Sequence, residues 1–296
     1  MINRNARGAS GGAWEDEVRR VLAQRFQIET VYPATADEMS ATVHARVADG
    51  ALAVIAGGDG SFNAALRARA DGPLAILPLG TANDLARALG LPLDPVRAAE
   101  RIVHAPANRW DLLTVNGHPF CTVGGIGTAA AVVAGIKALR ARKGIGAAVA
   151  RRLGSRIYHL VAAQMIVMRR LVCEDVTIEI TPPRGGSHEQ VRCQSALILV
   201  ANQPTVAGTL RVSPRSHTND GFFELCIFRA RDRVELLAAL AKLLAGVPVD
   251  GIEVHTASAA RLRVDRKMTF FGDGEILTEA DTFEIAVAPG AITLVG

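Results

Sequence analysis

The chain has 296 residues, 49% of them hydrophobic, and a formal net charge of only +4, which excludes a disordered, charge-dominated polypeptide and provides material for two substantial cores. Cys121, Cys173, Cys193 and Cys226 lie far apart with no C-x-x-C pair, so neither a zinc site nor a disulfide framework is indicated, and buried free thiols in a reducing compartment are expected. No signal-peptide pattern follows Met1, and the longest apolar candidate, 236–249, contains Lys242 and falls short of the ~20 residues that span a bilayer; a cytoplasmic protein, soluble or peripheral on the inner face of a membrane, is expected.

In chain order, residues 1–5 read as a short first strand leading into a polar loop. Helical spacing of Trp14, Val18, Val21 and Leu22 predicts a helix over 14–26. A strand over 27–32 ends at Pro33-Ala34-Thr35. A second helix, 37–49, has Met39, Val43 and Val47 four apart and stops at Gly50. Then comes the most informative stretch, Ala51-Leu-Ala-Val-Ile-Ala-Gly57-Gly58-Asp59-Gly60-Ser61: a buried parallel strand, a glycine turn and a helix over 62–70. Glycines let backbone come close to an anion, and a helix start faces it with free N–H groups. The turn is neither a Walker A loop nor a G-x-G-x-x-G dinucleotide turn. Asp59 among phosphates requires a metal ion or a proton, so the turn reads as the triphosphate and metal corner of a kinase-like site.

A further strand, 74–78, leads into Leu79-Gly80-Thr81-Ala82-Asn83-Asp84-Leu85-Ala86-Arg87. Thr81 stands where an N-cap would, with Asn83 and Asp84 in the first turn of a helix. Two polar turns at strand ends of one sheet also suit ligand binding, because ligands gather along the carboxyl edge of such sheets. A helix over 95–103 and a strand over 108–115 containing Asp111 follow, then Asn116-Gly117 as a hairpin turn. Beyond it come helices over 129–142 and 147–171. Period-two alternation starts at Asp175 and recurs at Phe223-Leu225-Ile227 and over 261–265, interrupted by a helix over 234–245. The fold class expected is α/β: an N-terminal parallel α/β nucleotide-binding domain, 1–113, and a C-terminal, mostly antiparallel β-sandwich domain, 114–296.

Charge is unevenly placed. Between Asp111 and Glu174 there is no acidic residue, while Lys137, Arg140, Arg142, Lys143, Arg151, Arg152, Arg156, Arg169 and Arg170 fall in that interval. Such a block marks an anionic partner, either a phospholipid surface or a nucleic acid, or is simply a solvated face.

With Gly57-Gly58-Asp59-Gly60-Ser61 and Pro78-Leu79-Gly80-Thr81-Ala82-Asn83-Asp84 in hand, and Asp111, Asn219-Asp220-Gly221 and Asp273-Gly274-Glu275 following in order, the chain resembles the soluble diacylglycerol kinase catalytic family, which includes bacterial lipid kinases and the sphingosine and ceramide kinases. The likeness covers almost the whole chain and extends, through the Gly-Gly-Asp-Gly turn, to NAD kinase and phosphofructokinase. It implies ATP and Mg²⁺, and transfer of the γ-phosphoryl to a hydroxyl of a membrane lipid. It implies further that Gly57, Gly58, Gly60, Ser61, Gly80, Thr81 and Asn83 hold the nucleotide, with Thr35 and Asn3 lining its pocket. Asp84 and Asp111 would organise Mg²⁺, Asp220 belongs to a loop that holds a second metal in some members, Asp59 acts near the attacking hydroxyl, and Glu275 is the general base with Asp273 beside it. The first acid of the Asp220 loop is Asn219 here, and the opening loop departs from the family's Asn-Pro pattern, with Arg7 a second candidate contact. The basic interval then acquires a purpose as the surface that meets an anionic membrane; no nucleic acid is expected as a partner, and a homodimer is compatible with exposed strand edges. The alternatives are NAD kinase, against which the Gly-Thr-x-Asn-Asp turn argues, and a non-catalytic membrane- or nucleic-acid-binding protein on the same scaffold.

Overall fold

The computed structural model describes residues 1–3, 13–141, 156–168, 173–183, 186–230 and 232–296. Arg7, Arg142, Lys143, Arg151, Arg152, Arg169 and Arg170, and the side chains of Arg140 and Arg156, lie outside the described residues. The chain forms two compact units, residues 1–110 with 290–296, and residues 111–289.

In the first unit, β1 (Ala53–Gly57) and β2 (Pro73–Pro78) pair in parallel, from Ala53 opposite Leu74 to Gly57 opposite Pro78. Both are almost wholly buried, which is why their sequences read as continuous apolar runs rather than as alternation. On the far side of β2 the end of the last strand, β14 (Glu275–Val295), adds Thr293 and Leu294 in parallel. Beside β1, Ile2 makes a single parallel bridge to Ala56. The strand expected over 27–32 does not form: the Val31 carbonyl accepts from the Ile2 N–H at 2.9 Å, but the segment is largely exposed and joins no ladder. Its apolar side chains are not buried, Ile28 and Tyr32 being 39% and 37% exposed, so it gains too little to be held in register.

Helices cover the strands. α1 (Ala13–Leu22) turns Val18, Val21 and Leu22 inward and packs against α5 (Pro95–His104). α5 starts at the Asp94 N-cap with Pro95 at the first helical position, where a missing N–H costs nothing. α2 (Ala36–Ala48) packs against α3 (Asp59–Leu66). α3 begins at Asp59, not near Phe62, because Gly58 takes the N-cap position and the turn is tighter than its glycine content suggests. The short α4 (Asp84–Ala88) follows β2. The chain passes to the second unit within β3 (Ala107–Val115).

The second unit is mostly antiparallel. Asn116 and Gly117, at φ 46° and 81°, turn β3 back into β4 (His118–Phe120) as the sequence predicts. β5 (Val123–Gly127), β8 (Leu197–Ala201), β11 (Phe223–Phe228) and β12 (Ile252–Ala257) are successive neighbours. β6 (Glu174–Thr181) and β7 (Glu189–Ser195) form a hairpin beside the first half of β13 (Ala259–Gly272). β13 pairs with β14 along most of its length, and a register shift between Arg263 and Met268 lets its far end pair with β5 instead of β6. A bulge of this kind bends a strand so that it serves two layers. The minor β9 (Thr205–Val206) and β10 (Leu210–Arg211) pair with each other.

Two cores result. Ile198, Val200, Phe223, Leu225 and Ile227 face Ile178, Leu262, Phe270 and Phe283 inside the sandwich, where Phe270 stands with its ring centroid 5.7 Å from Phe120 and 5.6 Å from Phe283. Leu199, Ala201, Cys226 and Phe228, on the alternate faces of β8 and β11, pack instead under helices α6 (Thr128–Ala141), α7 (Arg156–Met168) and α8 (Arg233–Leu244). Burial of both faces explains why β11 lacks the one-sided alternation predicted for it: all six of its residues are buried. Cys121, Cys193 and Cys226 are buried free thiols, and burial pushes the Cys226 thiol up to about 12.

Candidate functional site

In the first unit the two polar turns meet. Gly57 and Pro78 end adjacent parallel strands, and the turns that follow press their glycines together. A Cβ on Gly58 would stand 2.8 Å from the Gly80 Cα, and a Cβ on Gly80 would stand 2.5 Å from the Gly58 Cα and 2.6 Å from Asn83 Oδ1. No other residue fits either position without moving backbone. Asp59, half-buried at the first position of α3, accepts a hydrogen bond from the Leu85 N–H at 3.1 Å. Its carboxylate therefore serves the start of α4, a role invisible in the tetrapeptide itself. Asn3 donates through Nδ2 to Ser61 Oγ at 2.8 Å, and the same serine closes the space that a side chain at Gly57 would need.

Asn83, not Thr81, occupies the N-cap position of α4. It adopts a left-handed conformation at φ 51° and folds its amide back on the turn. Oδ1 accepts from the Gly80 N–H at 2.8 Å and Nδ2 donates to the Gly80 carbonyl at 3.2 Å. Asparagine tolerates this backbone region better than most residues do, so Asn83 is explained first as the clamp of its own turn. Thr81 is left partly exposed, and Asp84 is the first residue of α4. Thr35 likewise has a local duty: its Oγ1 accepts from the Glu38 N–H at 3.1 Å while Glu38 Oε2 accepts from the Ala34 N–H at 2.7 Å, a close relative of the capping box.

The second unit holds Asp111, Asp220, Asp273 and Glu275. Asp111 is buried, and its Oδ2 accepts from the Gly221 N–H at 2.7 Å while its own N–H donates to the Thr218 carbonyl at 2.7 Å. The loop of Asp220 is thereby fastened to β3. Asp220 itself is exposed and receives the Phe222 N–H at 3.0 Å in an Asx turn. The turn is not a hairpin, because β11 pairs with β8 and β12 rather than with the preceding strand.

Asp273 and Gly274 make the two-residue turn between β13 and β14, at φ 52° and 73°. Asp273 is also buried, and its carboxylate accepts from the Thr122 N–H at 2.8 Å, the Thr122 hydroxyl at 2.6 Å and the Cys121 N–H at 3.2 Å. Glu275 directly follows and meets Lys137 Nζ at 3.1 Å across the surface.

Asn202 links these pieces, and nothing in the sequence singled it out. Fully buried at the end of β8, it donates through Nδ2 to the Cys121 carbonyl at 2.8 Å and to the Asp111 carbonyl at 3.2 Å, while its N–H donates to the Thr122 carbonyl at 2.9 Å. One amide thus ties the strand of Asp111 to the loop that receives Asp273. The available signal was an Asn closing an apolar strand, which is too common to read as a site. Nearby Glu224, also buried, is held by the Ser216 hydroxyl, and burial raises its carboxyl above the ordinary range.

Among the described residues no three His, Cys, Asp or Glu side chains form a group that could hold a metal ion by themselves. Carboxylates at the first helical positions of α3 and α4, Asp59 and Asp84, do suit Mg²⁺, which prefers one or two carboxylates, substrate phosphates and water to an all-protein cage. No described helix is long and apolar enough to cross a membrane.

Residues 1–115 match the family model of the diacylglycerol kinase catalytic domain, and residues 130–296 that of the YegS C-terminal NAD kinase beta sandwich-like domain. The chain is 28% identical over 231 residues to the diacylglycerol kinase of Bacillus subtilis, covering 76% of this chain and 71% of that one. It is 29% identical over 283 residues to a protein of Pseudomonas fluorescens named "Probable lipid kinase YegS-like", covering 93% and 87%. The fold matches the crystal structure of a diacylglycerol kinase from Bacillus anthracis with a TM-score of 0.79 at 19% identity, over 99% of this chain and 94% of that one. A catalytic-domain match followed by a sandwich-domain match, over a chain whose two glycine turns meet at the carboxyl ends of β1 and β2, makes this protein a member of the diacylglycerol kinase family of lipid phosphotransferases.

Proposed function

We propose that the chain transfers the γ-phosphoryl of ATP to a hydroxyl of a membrane lipid of the diacylglycerol, ceramide or sphingoid kind. The observation that carries the reading is the close apposition of the Gly58 and Gly80 backbones, with the half-buried Asp59 carboxylate beside them, at the carboxyl edge of parallel strands. In this reading Gly57, Gly58, Gly60 and Ser61 face the triphosphate, Gly80, Thr81 and Asn83 shape the second wall, and Asn3 orients Ser61. Thr35 contributes to the nucleotide pocket beyond its capping bond. Asp84 and Asp111 are the residues that would hold Mg²⁺, and Asp220 those of its loop for any second ion. When bound, Mg²⁺ supplies neutralisation of the charge that develops on the phosphates.

Glu275 is the general base that takes the proton of the acceptor hydroxyl, and Asp59 assists by orienting that hydroxyl. Asp273 acts on Glu275 indirectly, by fixing the turn from which Glu275 projects. The basic interval between Asp111 and Glu174 draws the enzyme to an anionic bilayer, each Lys or Arg at such a surface contributing about 1 kcal/mol. This makes the enzyme a peripheral one, working from the cytoplasmic side, and pairing through exposed strand edges is compatible with it.

The test is transfer of label from γ-labelled ATP to a panel of diacylglycerol, ceramide, sphingosine and phosphatidylglycerol in mixed micelles. Glu275→Gln should lower kcat by about 10²–10⁴-fold, the range for losing a positioned base, and Asp59→Asn should do the same with the fold intact by circular dichroism. Label in none of the four lipids, or full turnover by Glu275→Gln, would overturn the assignment.

A further inference from the structure

The helix α7, Arg-Ile-Tyr-His-Leu-Val-Ala-Ala-Gln-Met-Ile-Val-Met, is apolar nearly all round. Such a helix is ordinarily covered on every side. Here one side is covered: Ile157, Val161 and Met165 pack with Val132 and Ile136 of α6, and Ile166 joins the core under α8. The other side is not. Leu160, Val167 and Met168 are 54%, 51% and 77% exposed, and with exposed Gln164 they stand at i, i+4, i+7 and i+8, a single stripe. The start of α8 lies beside the end of this stripe. Arg233 Nη1 donates to the Val167 carbonyl at 3.2 Å, bringing the start of α8 against the end of α7, and the next residue, Val234, is 68% exposed.

Charge and length say what meets this tip. α7 carries no acidic residue, and in sequence Arg169 and Arg170 come directly after Met168. Of the acids at the start of α8, Asp232 is engaged as the N-cap, accepting from the Val234 and Glu235 N–H groups at 2.8 and 2.9 Å, and Glu235 is the other. The 13 described residues of α7 extend about 20 Å, and a helical face of this apolar kind suits lying in the interface of a bilayer. Arg233 beside Val167 and Val234 has the reach to keep its guanidinium at headgroup phosphates while the apolar tip goes deeper.

We propose that Val167, Met168 and Val234, with Leu160 behind them, form an apolar wedge that enters the headgroup region of an anionic bilayer and holds the enzyme on the surface containing its acceptor lipid. This goes beyond the attraction of the basic interval and rests on the lipid-kinase reading for its purpose, though not for its test. Partition is read by co-sedimentation of the full chain with sucrose-loaded vesicles of phosphatidylcholine and phosphatidylglycerol at 3:1. The double variant Met168→Glu, Val234→Glu should partition at least about tenfold more weakly than wild type, and Met168→Gln, Val234→Thr, the milder pair should the first prove unfolded, several-fold more weakly. Turnover on a short-chain, water-soluble diacylglycerol without vesicles should be unchanged by either.

Equal partition of variant and wild type, or no wild-type binding to these vesicles, overturns the wedge. So does a wild-type dimer that light scattering shows falling to monomer in the variant with vesicle binding unaltered, which would make the stripe an interface between copies. Weakened vesicle binding in proteins that all fail to phosphorylate any lipid would sustain the wedge and overturn the kinase reading instead.

Discussion

Asp273→Asn isolates what one buried carboxylate does for the second unit. Asparagine keeps the shape of the side chain and suits the left-handed φ of 52° that the turn requires, so the backbone preference is nearly unchanged and only the acceptor changes. In the native protein, the carboxylate collects the Cys121 and Thr122 N–H groups and the Thr122 hydroxyl. An asparagine oxygen can still serve Thr122 and, more weakly, the Cys121 N–H that lies 3.2 Å from both carboxylate oxygens, but the NH₂ in place of Oδ2 then faces that N–H, donor beside donor. Hydrogen bonds to a charged group contribute about 1.5–3 kcal/mol against about 0.5–1.5 for neutral ones, and a buried donor without a partner costs about 1–3 kcal/mol. The sum is a loss of about 3 kcal/mol, which lowers the urea midpoint by about 1–2 M at an m of about 2 kcal/mol/M. Thr122→Val, removing the hydroxyl alone, should cost about 1 kcal/mol and be non-additive with Asp273→Asn because the two share one contact. Hydrogen exchange provides the local readout: amides over 120–123 should lose protection in Asp273→Asn beyond the global change. A variant within 0.5 kcal/mol of wild type, additive with Thr122→Val, would refute the claim that this carboxylate anchors the turn before Glu275.

Further outcomes follow from the same geometry. Thr35→Ala removes the cap of α2 and should cost about 1 kcal/mol of stability; a rise in the KM for ATP larger than this destabilisation explains would mark a nucleotide contact as well, to be read by steady-state kinetics beside a thermal melt. Asn83→Gly keeps the left-handed backbone and loses the two bonds to Gly80, whereas Asn83→Ala loses both, so the alanine variant should be less stable by about 1 kcal/mol in urea. Glu224 has its carboxyl raised by burial, so between the unfolded pKa and the raised folded one the native state binds more protons than the unfolded chain, and stability falls as pH rises through that window. Glu224→Gln should therefore gain on wild type as pH rises from about 4 to 8, measured as the difference in urea midpoints; a constant difference would refute the linkage.

Much of this protein is legible from local pattern. Periodicity finds α1 and α2, continuous apolar runs find β1 and β2, and Asn116-Gly117 announces its hairpin, because each of these depends on neighbours a few residues away. The motif residues could be named for the same reason. Their structural duties could not, since Asp59 reaches Leu85, Asp111 reaches Gly221 and Asp273 reaches Thr122, partners 26, 110 and 151 positions off in the chain. The misplaced N-cap at Thr81 arose from the same limit: sequence shows a capping hydroxyl, but only packing against Gly58 forces the turn to be closed one residue pair later by Asn83. Asn202 is the extreme case, an unremarked amide between apolar and polar neighbours whose two bonds join strands far apart in sequence. Sequence by itself determined which residues are able to bind, cap and turn, through conformational preference and side-chain chemistry. Tertiary structure alone decided which of them are already occupied in holding the fold, because a buried donor or acceptor must find its partner wherever the chain brings one within 3 Å or so.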